Sequence, residues 1–319
     1  MVAGRLDRRA VLLALSALLV ASNTLAALAP NLATMLVARL MLGLSVGGFW
    51  TFAPGATGHL VPVAQQPRAV SYVLAGVSLA TVAGVPAGAL LADLVGWRAA
   101  FGVAAGLAAL VLLVQVWLLP PMPPAAPTRA ADLLRPLRSP AARGALGVTL
   151  FLVAGHFAAY TYLTPLLGRS FGLSPEGLTA LLVAYGVTGF VGTFVGGRLP
   201  ARHAHRIAGV AAGTVVAVLA FAAFGVGGPV AGTAVAAAWG FAFGLFPGAL
   251  TVWMQTALPQ HADAGQATLV TGFQVAIASG AFLGGVVVDA MGVSSAMAFG
   301  ATLAAVAVGV VLRTGRARG

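Results

Sequence analysis

Apolar residues in this chain run on for about twenty positions at a time, and glycine, proline or arginine marks each interruption. An α-helix needs about 20 such residues to cross a hydrocarbon core. Ten crossings are predicted, at residues 10–29, 32–61, 69–95, 99–119, 144–167, 176–196, 206–227, 230–257, 266–291 and 294–312. Barrel strands would alternate apolar with polar residues over about ten positions, and these unbroken runs do not. A segment in lipid must satisfy its own backbone, so each run is read as a helix and the fold as an all-α membrane bundle. Residues 120–143, rich in proline and arginine, cannot stay helical or enter lipid and read as an exposed linker. The expected organisation is a four-helix N-terminal half at 1–119, the linker at 120–143 and a six-helix C-terminal half at 144–319.

Ten alternating crossings put both termini on one side. That side collects fourteen arginines: Arg5, Arg8, Arg9, Arg68, Arg129, Arg135, Arg138, Arg143, Arg198, Arg202, Arg206, Arg313, Arg316 and Arg318. The other side has two, Arg98 and Arg169. Positive charge stays on the cytoplasmic face, so the termini and linker are expected there. The first apolar run exceeds the 7 to 15 residues of a secretory leader, so it reads as a membrane helix.

The two halves repeat each other. Gly76, Gly84, Gly88, Asp93 and Gly96 recur 196 residues later as Gly272, Gly280, Gly284, Asp289 and Gly292. Gly4, Arg5, Leu6, Gly47, Pro54 and Gly55 recur 193 residues later as Gly197, Arg198, Leu199, Gly240, Pro247 and Gly248. The second half has two helices before its Gly-Arg-Leu turn, whereas the first begins at that turn. A complete duplicate would be six plus six, so the four-plus-six count reads as an N-terminally shortened carrier.

Composition narrows the chemistry. Charged residues make up 7% and hydrophobic ones 60%, against about 25% charged in a soluble domain. The net charge of +11 lies between the spans and forms no basic face, so it does not point to nucleic acid. Without cysteine there is no disulfide or thiolate metal site, and without lysine no Schiff base. A phosphate-binding Gly-x-x-x-x-Gly-Lys-Ser/Thr loop and a His-Glu-x-x-His metal pair are also missing. The expectation is a solute carrier driven by a gradient and not an enzyme, with no cofactor and no metal. Its partners are a small-molecule solute, protons and the lipid bilayer, with no nucleic acid and one copy of the chain as the working unit.

Specific motifs bring in a family. Gly4, Arg5, Leu6, Asp7, Arg8 and Arg9 resemble a contracted form of the Gly-x-Leu-x-Asp-Arg-x-Gly-Arg-Arg turn between helices two and three of the major facilitator superfamily. Arg39 and Gly43 match that family's Arg-x-x-Gln-Gly pattern in helix four, with Leu42 in place of glutamine. Gly76, Gly84, Pro86 and Gly88, followed by Gly96, Trp97, Arg98 and Phe101, resemble helix five of its drug and sugar exporters, with Val85 between the usual Gly-Pro pair. Gly155, His156, Phe157, Tyr160, Thr161, Tyr162 and Pro165, with Gly48, Phe49 and Trp50, look most like the branch holding arabinose-efflux-type, purine-ribonucleoside and chloramphenicol exporters.

The resemblance implies two six-helix halves, proton-coupled efflux of a drug, sugar or nucleoside by alternating access, and a bacterial-type inner membrane. It also implies a cytoplasmic gate at Asp7, Arg8 and Arg9. The alternatives are a transport-inactive fragment and a facilitator not coupled to protons, because carboxylates within the spans are scarce.

Individual residues then stand out. Arg39 lies about 12 Å into its helix at ~1.5 Å per residue, where a charge costs about 2.5 to 3.5 kcal/mol; a gating or proton-coupling role follows from the resemblance. His156 shares a helix face with Thr149, Tyr160 and Thr164, a polar stripe suited to a cavity or to partner helices. A solute-binding or proton-relay role is expected of it. Gln274, with Thr268, Thr271 and Ser279, forms a weaker polar face, and Trp50 is a candidate for stacking on a ring, as are Phe49, Trp239 and Trp253. Gly43 with Gly47, Gly84 with Gly88, Gly192 with Gly196 and Gly280 with Gly284 should let helices approach closely. Pro54, Pro86 and Pro247 should bend their helices. Ser174 and Pro175 should start a helix before Glu176, and Arg98 should pair with Asp93.

Overall fold

The computed structural model describes residues 7–62, 72–73, 76, 80–122, 135–163, 173–198, 201–224 and 228–316. Its helices are α1 (Arg8–Ala27), α2 (Leu32–Leu60), α3 (Val85–Val95), α4 (Trp97–Leu118), α5 (Pro140–Tyr160), α6 (Pro175–Arg198), α7 (Ala204–Phe224), α8 (Gly228–Ala257), α9 (Ala262–Met291) and α10 (Val293–Arg316). There is no strand among the described residues. Nine stretches among the described residues are long and apolar enough to cross a membrane, and they fall on nine of the ten expected runs. The remaining run, 69–95, lies partly outside the described residues; its second part is a π-helical turn, Ala80–Gly84, leading into α3. Pro86 follows that turn and lacks the N–H that would bond back to residue 82, which favours a wide turn there.

The linker is shorter than its composition implies. Pro140 opens α5 where a break was expected, and residues 140–143 are helical. Ser139 accepts the Ala142 N–H at 3.3 Å, and a proline in the first turn forfeits no helical hydrogen bond. Ser174 similarly accepts the Gly177 N–H, at 3.2 Å, where α6 begins.

The chain divides into two compact units, Met1–Val73 with Ala83–Ala130 and Leu74–Val82 with Ala131–Gly319. In the first, α1 packs on α2 and α4, and α3 on α4. Its buried centre is small, built on Leu12 and Met122 with Phe49, Phe52 and Leu119 around them. Leu36, Leu40, Leu107, Leu113 and Trp117 stay exposed, which apolar side chains tolerate when lipid replaces water. In the second unit α8 packs on α6 and α7, α10 on α5 and α7, and α9 on α5. Leu152, Leu181, Leu219, Trp239, Phe246, Trp253 and Met297 fill its core.

The repeat is visible in backbone geometry. Gly96 ends α3 with φ of 91° and donates its N–H to Ala92 O, and Gly292 ends α9 with φ of 89° and donates to Val288 O. Both carbonyls then accept from the residue three further on, Ala99 and Ser295. A positive φ favours glycine, so the two equivalent turns keep it.

Small residues set the helix approaches of the second unit. A Cβ on Gly155 would stand 2.6 Å from Gly300 O, and one on Gly300 would stand 2.5 Å from Gly155 O. Gly280 and Gly284 abut the backbone of Ala154 and Ala158, and Gly192 and Gly240 abut Phe241 and Tyr185. The expected close approach therefore holds for Gly192 with Gly196 and Gly280 with Gly284. At Gly43, Gly84 and Gly88 a Cβ would meet nothing within 4 Å among the described residues.

Candidate functional site

The crossings at Gly155 and Gly240 place their sequence neighbours, His156 and Trp239, at the centre of the second unit. His156 on α5 is 1% exposed and Trp239 on α8 is fully buried. Trp239 Nε1 donates to His156 Nδ1 at 3.0 Å, joining the two helices. Phe243, one turn beyond Trp239, stacks on the imidazole at 3.5 Å and 16°. Tyr160, one turn beyond His156, stacks on it at 5.3 Å and 15°. Tyr185 on α6 lies 6.5 Å from the imidazole and 5.2 Å from Tyr160. Phe157 closes the group edge-on at 4.9 Å. Six aromatic side chains from three helices thus meet around one polar bond.

That arrangement has chemical consequences. Rings at these separations offer faces on which a flat solute can stack, at about 0.5 to 1.5 kcal/mol per pair beyond area burial. The polar ends in the cluster are the imidazole and two phenols. Phe157, Tyr160 and Phe243 are half-buried, whereas His156, Tyr185 and Trp239 are buried. The cluster lies against α6 and α8, with Phe157, Tyr160 and Phe243 as its less buried rings.

The polar stripe on α5 is thereby resolved into partners. Thr149 is buried and donates to Ala145 O of its own helix at 2.8 Å, so its hydroxyl is already used. His156 and Tyr160 face α6 and α8, and Thr164 lies outside the described residues. Gln274 is half-buried on α9, and its neighbours Thr268 and Thr271 donate to Ala264 O and Ala267 O at 2.9 Å. Trp50, in the first unit, is half-buried edge-on to Phe49 at 5.7 Å. Arg39 is exposed, with its guanidinium 4.7 Å over the Phe101 ring. Arg39 and Trp50 belong to the first unit, and His156 and Gln274 to the second.

Asp7, expected at a gate, also caps α1. Its Oδ1 accepts the Arg9 N–H at 2.8 Å, starting α1, and the Met122 N–H at 2.9 Å, beyond the end of α4. The Arg8 N–H donates to Met122 O at 3.0 Å, and the Arg9 guanidinium to Val116 O at 2.7 Å, an end-of-helix carbonyl. Asp7→Ala should destabilise the first unit by about 1 kcal/mol, while Asp7→Asn, which keeps an accepting oxygen, should melt near wild type. If Asp7→Asn melts normally and still loses transport, the charge acts beyond the cap; thermal melting in detergent beside transport rates separates the two roles. The Asp93 to Arg98 ion pair does not form among the described residues: Arg98 donates to Ala29 O at 2.9 Å and lies 4.2 Å over Trp97.

Tyr185 and Phe243 were not legible as site residues from single-residue inspection, although one signal was present. His156 with Tyr160 and Trp239 with Phe243 are both spaced by four, so each pair lines one face of its helix.

Known proteins resemble the chain over most of its length. The family model described as Major Facilitator Superfamily matches residues 1–268. A purine ribonucleoside efflux pump, NepI, of Shigella sonnei is 31% identical over 298 residues, which are 93% of this chain and 75% of the pump. NepI of Escherichia coli K12 is 30% identical over the same shares. Among solved structures, the human organic anion transporter MFSD10 superposes with a TM-score of 0.75 at 20% identity, covering 97% of this chain and 78% of its own. FucP in the outward conformation gives 0.70 at 20% identity, covering 98% and 84%.

Proposed function

This chain belongs to the major facilitator superfamily, a multi-pass membrane transporter and not an enzyme, and from that premise we propose that it exports a purine-ribonucleoside-type solute in exchange for protons. The observation that carries the reading is the aromatic cluster around His156, in a chain alike over most of its length to NepI pumps. A purine ring is flat and polar at its edges. It matches a site of stacked rings joined by one imidazole better than it matches a purely apolar pocket. In this reading the solute is exposed to each side of the membrane in turn, by alternating access. The membrane is the bacterial-type cytoplasmic membrane, with both termini on the arginine-rich cytoplasmic side. Arg39, Trp50 and Gln274 line the path in this reading, and Gly84, Pro86 and Gly88 lie where a helix bends during the cycle.

A second reading, a facilitator driven by the solute gradient alone, has its own support. Among the described residues the acids stand at helix ends or caps, Asp7 before α1, Asp93 in α3 near Gly96, Glu176 in the first turn of α6, and Asp263 and Asp289 at the two ends of α9. Everted membrane vesicles with an imposed pH gradient decide between them. Labelled inosine should accumulate several-fold over vesicles without the protein, and a protonophore should abolish the accumulation. Equilibration without accumulation would establish the facilitator, and uptake of sugar or chloramphenicol but not of nucleoside would overturn the substrate class.

A further inference from the structure

Positive charge at one end of the second unit exceeds what its own carboxylates neutralise. Arg138, Arg143, Arg198, Arg202, Arg206 and Arg313 are all exposed there. The elements that carry them meet at that end: a Cβ on Gly144 of α5 would meet Thr314 of α10 and Trp253 of α8, and one on Gly209 of α7 would meet Val311 of α10. His205 of α7 lies edge-on to Trp253, and the short turns Arg135–Arg138 and Ala201–His203 pack on α5 with α9 and on α7 with α8. Asp263, in the first turn of α9, is the one carboxylate at that end among the described residues. Even set against one arginine, it leaves five uncompensated.

The depth of these cations matters as much as their number. Leu137, Phe194, Val210 and Leu312, each within four positions of one of the arginines, are exposed, as side chains that face acyl chains are. On α6, Phe190, Phe194 and Arg198 are spaced by four and share one face. Phe194 is 53% exposed and stacks on Phe190 at 6.3 Å and 16°, and the Arg198 guanidinium lies 3.7 Å over the Phe194 ring. Side chains lean toward the N-terminus of their helix, so at the C-terminal end of α6 the lean carries the cation back over the apolar face and away from bulk water. A charge held at that depth favours an anion beside it. Across the turn Arg202 donates through Nε to His203 at 3.5 Å, and Arg206 stands one helical turn before Val210.

We propose that the connection between α6 and α7, through Arg198, Arg202 and Arg206, is a binding surface for an anionic phospholipid of the leaflet on the arginine-rich side. The chemistry is a phosphate held by guanidinium groups, with acyl chains against the exposed rings of α6 and Val210 of α7. A lipid joins those two parts in one molecule, whereas a free phosphate ion leaves the exposed apolar side chains without a partner. The inference is independent of which solute the chain carries.

The test is native mass spectrometry of the full chain in detergent, offered equal amounts of phosphatidylglycerol and phosphatidylcholine with the same acyl chains. The first lipid retained should be phosphatidylglycerol by about fivefold, the effect of one arginine near an anionic headgroup. A variant carrying Arg198→Gln, Arg202→Gln and Arg206→Gln should bring the preference below about twofold, while Arg98→Gln, in the other unit, should leave it unchanged. A folded triple variant that keeps more than half of the wild-type preference overturns the proposal. Displacement of the lipid by glycerol 3-phosphate also overturns it, in favour of a site for soluble phosphates. So does a two-chain species that the triple substitution dissociates without any lipid preference, since the surface then belongs to a second copy. If the triple variant does not fold, the wild type in ammonium acetate decides: between about 0.1 and 1 M the screening length falls from about 10 to 3 Å, and a preference that does not fall with it is incompatible with charge recognition at this surface.

Discussion

Gly240→Ala should destabilise the protein by about 1 to 3 kcal/mol, because the added methyl group has no free space to enter. A Cβ there meets the backbone carbonyl of Tyr185 and lies 2.7 Å from Thr188 Oγ1. The carbonyl belongs to α6 and cannot swing aside as a flexible side-chain end would, so α6 and α8 must separate. Separation withdraws Tyr185 from Trp239, now 6.0 Å apart edge to face, and loosens the cluster as well as the crossing. Gly213→Ala on α7 is the matched control, with nothing within 4 Å of its Cβ among the described residues. Alanine is the better helix former by about 1 kcal/mol, so that variant should melt at or above the wild-type temperature. Thermal melting in detergent, followed by tryptophan fluorescence, should thus show opposite signs for the same chemical change at two helical glycines. Equal shifts would mean that the α6 to α8 crossing is looser than the geometry indicates.

His156→Ala should combine a stability loss with a transport loss. Truncation leaves a cavity between Phe243 and Tyr160 and an indole N–H with no acceptor, together on the order of 2 to 4 kcal/mol. The proposed nucleoside export should fall at least tenfold. His156→Phe separates the two effects, since a phenyl ring refills the space and keeps the stacking while still leaving Trp239 Nε1 unpaired. It should regain part of the stability of His156→Ala but none of its transport. Export by His156→Phe at the wild-type rate would show that the polarity of the imidazole holds helices together and plays no part in moving the solute.

Much of this architecture was legible in the chain because it depends on near neighbours. A span declares itself through twenty apolar residues, and the Asp93 to Gly96 and Asp289 to Gly292 turns through glycines whose positive φ is a local requirement. The Ser174 cap follows from residues three positions apart. Pro140 shows where such reading falters: the residue type suits both a break and a helix start, and Ser139 decides for the start. Asp7 is similar, because a carboxylate beside two arginines suggests an ion pair, while its Oδ1 also accepts from the backbone N–H groups of Arg9 and Met122.

The candidate site divides along the same line. The sequence by itself determined the crossing segments, the repeat and the presence of one histidine in the middle of an apolar helix, since each follows from lipid solvation and helical periodicity along the chain. Tertiary structure alone decided what that histidine does with its nitrogens. Trp239 is 83 residues away from it, and Tyr185 and Phe243 come from other helices. Nothing local brings these rings together; backbones that approach closely at Gly155 with Gly300, and at Gly240 with Tyr185, choose which helix faces meet.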